Sequence, residues 1–274
     1  MNRRTKSCWR FFGISRSGNH AIIEWFLRNL GEDNTVFMNN CLEGDPFTNF
    51  SYCTFVYDGY LRKHRGDIHR KRNRHFDRLM QTAARVEHYV ISYEIMPVDD
   101  ESRSALWRKA ALEARLEADF FVLRSPLNLV ASLVQRTRNE LTRPSRQKAK
   151  FERMAQTLAV DYGSYLQLQA SDPERVVVYD RWGADAEYRA TFLSANGFEL
   201  RDLSLGQMSS AGGGSSFDTS QDVATISTSK RWPKLKDDPD FLNIVQSIAE
   251  SDEVMEHIER LFPEDHASLK GLLL

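Results

Sequence analysis

The chain has 274 residues, a formal net charge of −1 and an apolar fraction of 41%. This is the composition of an ordinary soluble globular protein, with room for one large domain or two small ones. Cys8, Cys41 and Cys53 are too few and too odd in number for a disulfide framework, and their spacing suits no common metal site, so they read as reduced thiols. No long apolar run precedes the first glycines and none approaches ~18 residues, so neither a signal peptide nor a membrane span is expected and the chain reads as cytoplasmic.

Cys8 to Ile14 reads as a short buried strand. Asn19 to Leu30 follows as a helix, with Ile22, Ile23, Phe26, Leu27 and Leu30 on one face. Between them, Gly13-Ile14-Ser15-Arg16-Ser17-Gly18-Asn19-His20 has the G-x-x-x-x-G outline of a phosphate loop. The Lys and Ser/Thr that should follow the second glycine are replaced by Asn19 and His20. Mg-dependent phosphoryl transfer needs that hydroxyl on the metal and that Lys on the outer phosphates. Here the strong cation, Arg16, sits inside the loop. Taken alone, the segment reads equally as a phosphate site or as a tight glycine turn with a surface arginine.

Gly31 ends the helix, and Thr35 to Met38 is a second short strand before the polar turn NNCLEGDPF. Tyr89 to Tyr93 and Phe120 to Leu123 read as further strands. The latter runs into Ser125-Pro126, a cap followed by proline at the first helical position, and the helix LNLVASLVQR. Arg175 to Tyr179 reads as a fifth strand and Ala186 to Asn196 as a helix ended by Gly197. Short, continuously apolar strands alternating with helices imply an α/β fold, a mostly parallel sheet with helices on both faces in three layers. With no clear linker, residues 1–274 read as a single domain with two excursions. Residues 61–78 carry eight Lys/Arg and three His against two Asp. Residues 209–220 are Gly/Ser-rich, a mobile loop, lid or plain connector.

Arg124 stands at the C-terminal end of a strand, with Ser132 about two helical turns beyond Ser125. S-R-S-G-N-H at Ser15 to His20 and R-S-P-L-N-L-V-A-S at Arg124 to Ser132 together resemble the sulfotransferase family that uses 3′-phosphoadenosine 5′-phosphosulfate. Val176 to Asp180 resembles that family's later strand, whose tyrosine lies near the adenine. Ser227 to Trp232 is similar to its basic C-terminal loop. The resemblance implies a fold of the phosphate-loop nucleotide-hydrolase type and activity as a sulfotransferase. It also implies this donor as cosubstrate and no metal.

On that resemblance Ser15, Arg16, Ser17, Gly18, Asn19 and His20 hold the 5′-phosphosulfate. Arg124, Ser132, Lys230 and Arg231 hold the 3′-phosphate, and Tyr179 lies by the adenine. Ala21 stands where many members carry the adenine-stacking aromatic, so stacking is expected from elsewhere. Arg16 is the candidate cation for the leaving phosphate. The general base is expected to be Glu94, with Glu43 and His20 as alternatives; a loop histidine beside bound phosphates tends to be cationic, which makes a poor base.

The basic run at 61–78 reads either as a solvated face or as a contact for an anionic partner. Such a partner is an acidic glycan or lipid-linked saccharide acceptor, or an inner-membrane surface touched peripherally. Nucleic acid is not expected, because overall charge is balanced and the run lacks interleaved aromatics. Two other readings remain: a small-molecule kinase with a degenerate loop, and a non-catalytic nucleotide-binding protein.

Overall fold

The computed structural model describes residues 6–31, 34–46, 50, 52–57, 60–65, 86–94, 96–110, 112–206 and 231–273. The basic run beyond residue 65 and the whole Gly/Ser-rich segment 209–220 lie outside them. The chain divides into two compact units: Met1–Gly13 with Phe26–Phe121, and Ile14–Trp25 with Val122–Leu274.

Among its described residues the first unit holds six strands: β1 (Ser7–Gly13), β2 (Thr35–Asn39), β3 (Tyr52–Tyr57), β4 (Tyr60–Arg65), β5 (His88–Tyr93) and nearly all of β6 (Arg115–Leu123). Their order in the sheet is β4-β3-β2-β5-β1-β6. β5 pairs in parallel with β1, from Ser7 against His88 to Phe12 against Tyr93, and with β2, from Thr35 against His88 to Met38 against Ile91. β3 and β4 extend the sheet as antiparallel strands. The sheet is therefore mostly parallel, as expected, with an antiparallel pair that the sequence reading does not assign.

β1, β2 and β5 are buried almost throughout because both sheet faces are covered. On one face Trp9 and Phe11 meet Phe26 of α1 (Asn19–Leu30), with ring centroids 5.9 and 5.0 Å apart. On the other, Phe12 stacks on Tyr93 at 5.1 Å and Phe121 at 5.6 Å. Arg103 and Trp107 of α2 (Asp100–Ala110) close that face over Phe121 and Arg10. These are the three layers.

Arg10 is 1% exposed, inside this layer. Its Nε and Nη2 donate to the two carboxylate oxygens of Asp119 at 2.7 and 2.8 Å, and Arg103 Nη1 donates to Asp119 Oδ2 at 2.7 Å. Asp119 is thus a counterion shared by two guanidinium groups. This pairing also explains why β6 begins five residues earlier than the apolar run Phe120–Leu123 implies. Glu117 and Asp119 look polar in the sequence but are satisfied in place by Arg115, Ser7, Arg10 and Arg103.

The second unit holds the last residues of β6, Val122 and Leu123, followed in the sheet order by β7 (Val176–Val178). Its helices are α3 (Pro126–Glu140), α4 (Pro144–Ser171), α5 (Tyr179–Ala184), α6 (Ala186–Ala195), α7 (Pro239–Ala249), α8 (Asp252–Leu261) and α9 (Pro263–Leu272). The residues of α3 from Pro126 to Val134 are all buried, and α4 packs on α7 and α8. Among the described residues no helix is long and apolar enough to cross a membrane.

Removing the shared anion leaves the buried Arg10 without its carboxylate and Arg103 with only the exposed Asp100. Asp119→Ala is expected to lower stability by about 3–5 kcal/mol, measured by urea unfolding, the range for breaking a buried pair. A loss below about 1 kcal/mol would place the network among surface pairs that contribute little.

Candidate functional site

The loop that follows β1 lies in the second unit from Ile14 onward. The Ser17 N–H donates to the Ile14 carbonyl at 3.0 Å and closes a turn with Ser15 and Arg16 at its centre. Arg16 has φ 72°, a left-handed conformation that normally falls to Gly or Asn at this turn position. A non-glycine residue held there costs on the order of 1 kcal/mol, and such outliers gather at ligand sites.

Gly18 has φ 101°, and a Cβ on it would come within 2.2 Å of Tyr179 Cδ2. Glycine is therefore required twice, by backbone geometry and by the approach of an aromatic ring. Helix α1 starts immediately afterwards, and its first amides point out of the N-terminus, the arrangement that binds anions. Ser17 Oγ donates to Asn19 Oδ1 at 2.9 Å, both residues being buried. Asn19 Nδ2 is buried with no hydrogen-bond partner among the described residues, a donor that a ligand could satisfy.

Arg124, 3% exposed, closes β6 and reaches the loop. Its Nη1 donates to the Arg16 carbonyl at 2.9 Å and to Ser132 Oγ at 3.2 Å. The same Ser132 hydroxyl accepts from Arg231 Nη1 at 3.2 Å, and the Arg231 N–H donates to Asn128 Oδ1, also at 3.2 Å. Of the sequence-identified residues, Arg124 and Arg231 thus meet at the Ser132 hydroxyl, and Arg124 ties it to the backbone carbonyl of Arg16. Lys230 lies outside the described residues.

The expected fifth strand is shorter than its apolar run: β7 stops at Val178 and Tyr179 opens α5. There the Val178 N–H donates to the Tyr188 hydroxyl at 2.9 Å rather than to a strand partner. Tyr179 is held between Arg124, whose Cζ lies 5.2 Å from the ring centroid, and Trp182, stacked at 5.6 Å. It is the post against which both Gly18 and Arg124 rest.

The expected bases belong to other elements. Glu94 directly follows β5 and Glu43 follows the end of β2, both in the first unit. The two strand ends are tied together, since Ser92 Oγ donates to Asn39 Oδ1 at 3.0 Å and the Asn40 N–H donates to Ser92 Oγ at 2.9 Å. Glu43 is ion-paired with Lys109 at the surface. His20 is half-buried in the first turn of α1.

Several residues at the site are given no role by the sequence alone. Tyr162 on α4, fully buried, donates to the Arg124 carbonyl at 2.8 Å and fixes the arginine's backbone. Asp180 Oδ2 accepts from the Ser125 N–H at 2.7 Å beside Arg124. Burial raises the Asp180 carboxyl while Arg124, the Ser125 N–H and Arg231 pull it down. Arg136 donates to Ser15 Oγ at 3.0 Å. Its one sequence signal is the i,i+4 spacing from Ser132 on a helix.

No protein-family model and no curated protein sequence matches the chain. The structure is similar to that of mouse sulfotransferase SULT7A1 complexed with PAP, at 11% identity and a TM-score of 0.48, over 99% of this chain and 90% of that chain. What the site can do follows from its own residues: permanent cations, a helix N-terminus and a glycine turn together suit a ligand carrying more than one phosphate.

Behind the site, Asp265 of α9 accepts from the Ser125 hydroxyl and from the Leu127 N–H. Burial pushes its carboxyl up to about 6, an effect that these two hydrogen bonds reduce and that Asp180 and Glu264 add to. A raised carboxyl favours the protonated folded state, so its contribution to stability is complete below the unfolded value near 4 and is lost as pH rises through about 6. Asp265→Asn stays neutral and keeps an oxygen acceptor. Its stability relative to wild type is expected to improve by about 2 kcal/mol between pH 4.5 and 7.5 in urea titrations. A pH-independent difference would refute the assignment.

Proposed function

We propose that the chain is a sulfotransferase that moves a sulfuryl group from 3′-phosphoadenosine 5′-phosphosulfate to a hydroxyl or amine of an acceptor. The observation that supports this reading is the contact of Arg124 Nη1 with both the Arg16 carbonyl, at 2.9 Å, and Ser132 Oγ, at 3.2 Å. One guanidinium joins a loop suited to one phosphate to a hydroxyl suited to another. Arg124 and Arg231 converge on that hydroxyl from opposite ends of the sequence. Like charges about 6 Å apart repel by ~3 kcal/mol at an effective dielectric of 20, and a phosphate dianion placed there removes the penalty. Asn19 Nδ2 supplies a buried donor for a phosphate in the loop.

On this reading Ser15 to His20 hold the 5′-phosphosulfate, and Arg124, Ser132, Lys230 and Arg231 hold the 3′-phosphate. Tyr179 lines the nucleotide site. The donor brings an activated S–O bond. Arg16 and the loop amides meet the negative charge that grows on the leaving phosphate, a type of contribution worth roughly 3–4 kcal/mol per pre-aimed donor. Glu94 takes the acceptor proton, with Glu43 and His20 as the alternatives. Asn19 and His20 replace the residues that would manage Mg²⁺, so the transfer is read as metal-independent. The acceptor is a saccharide or other hydroxyl compound of anionic character, met by the basic run at 61–78. The whole chain acts as one sulfotransferase-like domain in the cytoplasm, with peripheral contact at the inner membrane surface.

Calorimetry with adenosine 3′,5′-bisphosphate tests the donor assignment. Wild type is expected to bind without Mg²⁺, and Arg124→Ala and Arg16→Ala to lose about tenfold or more in affinity. Tighter binding of ATP–Mg²⁺ than of the bisphosphate would replace this reading by a kinase. Donor binding without turnover over a panel of hydroxyl and amine acceptors would leave a nucleotide-binding protein. With an acceptor in hand, Glu94→Gln is expected to lower turnover at least ~100-fold, and full turnover would pass the role to Glu43 or His20.

A further inference from the structure

We propose that Arg136 is a fourth arginine of the donor site, serving the phosphate held by the loop, with Glu140 as its competing partner. The proposal rests on the sulfotransferase reading above. Arg136 lies one helical turn beyond Ser132 on α3, and side chains on a helix lean toward its N-terminus, which directs this one back over the loop.

Its guanidinium is split between two partners. Nη1 donates to Ser15 Oγ at 3.0 Å, at the first polar side chain of the loop, and Nε donates to Glu140 Oε1 at 2.6 Å. The neighbouring arginines are committed differently. Arg124 and Arg231 converge on Ser132, and Arg138 holds Asp238 and Asp240 at the start of α7. Arg136 is therefore the α3 arginine in contact with the loop's own side chains.

The pair with Glu140 is open to water, at 39% and 53% side-chain exposure. Exposed i,i+4 pairs of this kind contribute only ~0.3–0.5 kcal/mol, so the arginine can leave at little cost. A phosphate dianion offers it forked, charge-assisted hydrogen bonds that a serine hydroxyl cannot. Ser15 marks the place: the atom that holds Arg136 at the loop is the one a loop-bound phosphate would displace or share. A purely structural role, stapling Ser15 to α3, makes a different forecast, because it would loosen the whole loop and with it every ligand.

Three probes separate these roles: adenosine 3′,5′-bisphosphate, adenosine 5′-monophosphate and adenosine 3′-monophosphate, titrated by calorimetry into the full chain. Arg136→Ala is expected to weaken the first two about tenfold and leave the third within about twofold, with Arg136→Lys recovering part of the loss. Glu140→Gln is expected to tighten both 5′-phosphate ligands. Arg124→Ala is expected to show the reverse preference, losing the 3′-monophosphate most. Unchanged affinities in Arg136→Ala, while Arg124→Ala still loses the 3′-phosphate, would overturn the inference and leave the function standing. An equal loss for all three probes in Arg136→Ala would also overturn it, in favour of the staple. A wild-type chain that binds none of them would overturn the function itself. Thermal unfolding of each variant, within about 2 °C of wild type, confirms that the comparison is made on folded protein.

Discussion

The site depends on one guanidinium. Arg124 is buried at the end of β6, its carbonyl fixed by Tyr162 and its Nη1 shared between the Arg16 carbonyl and Ser132 Oγ. A buried charge persists only where hydrogen bonds and countercharge offset its desolvation. Here the carbonyl of Arg16, the hydroxyl of Ser132, the ring of Tyr179 and the nearby carboxylate of Asp180 do so. The left-handed turn at Arg16 gains an anchor from the same contact. Loop geometry and anion chemistry are coupled through a single side chain.

A second feature is the use of tyrosine and glycine as a matched pair. Tyr179 fills the space that a side chain at position 18 would need. The ring also presents its face to Arg124 and its back to Trp182. Behind it, Trp182 and Trp25 meet at 6.0 Å, and Trp25 and Phe192 at 6.2 Å. An aromatic stack thus carries the loop's conformation into the core of the second unit, where dense packing resists displacement. The first unit solves a different problem. It buries Arg10 beneath its sheet by giving it a carboxylate, Asp119, that it shares with the half-buried Arg103.

Where the sequence was legible, local chemistry was strong. The span of α1 from Asn19 to Leu30 follows its apolar spacing, and the Ser125-Pro126 start of α3 follows its cap. The core strands β1, β2 and β5 follow their continuous apolar runs. Where it was not legible, long-range pairing had overridden local character. β6 extends back to Arg115 because charges at Glu117 and Asp119 find partners in β1 and α2. β7 ends at Val178, where the Val178 N–H is taken by the Tyr188 hydroxyl and Tyr179 opens α5. The helices at Asp100–Ala110 and Pro144–Ser171 are unassigned by the sequence reading; the second carries only scattered buried residues over its 28 positions.

The sequence by itself determined the kinds of group available: a glycine turn with an internal arginine, and an arginine and serine eight positions apart at a strand-to-helix junction. Those are local patterns, set by spacing along one element. That Arg124 and Arg231 meet at the Ser132 hydroxyl, and that Arg124 also reaches the Arg16 carbonyl, was decided by the tertiary structure, because contacts across about 100 residues are fixed by packing and leave no periodic trace. The same holds for Arg136: its number in the sequence says only that it is a basic residue on a helix, and its place over Ser15 exists once α3 is packed beside the loop.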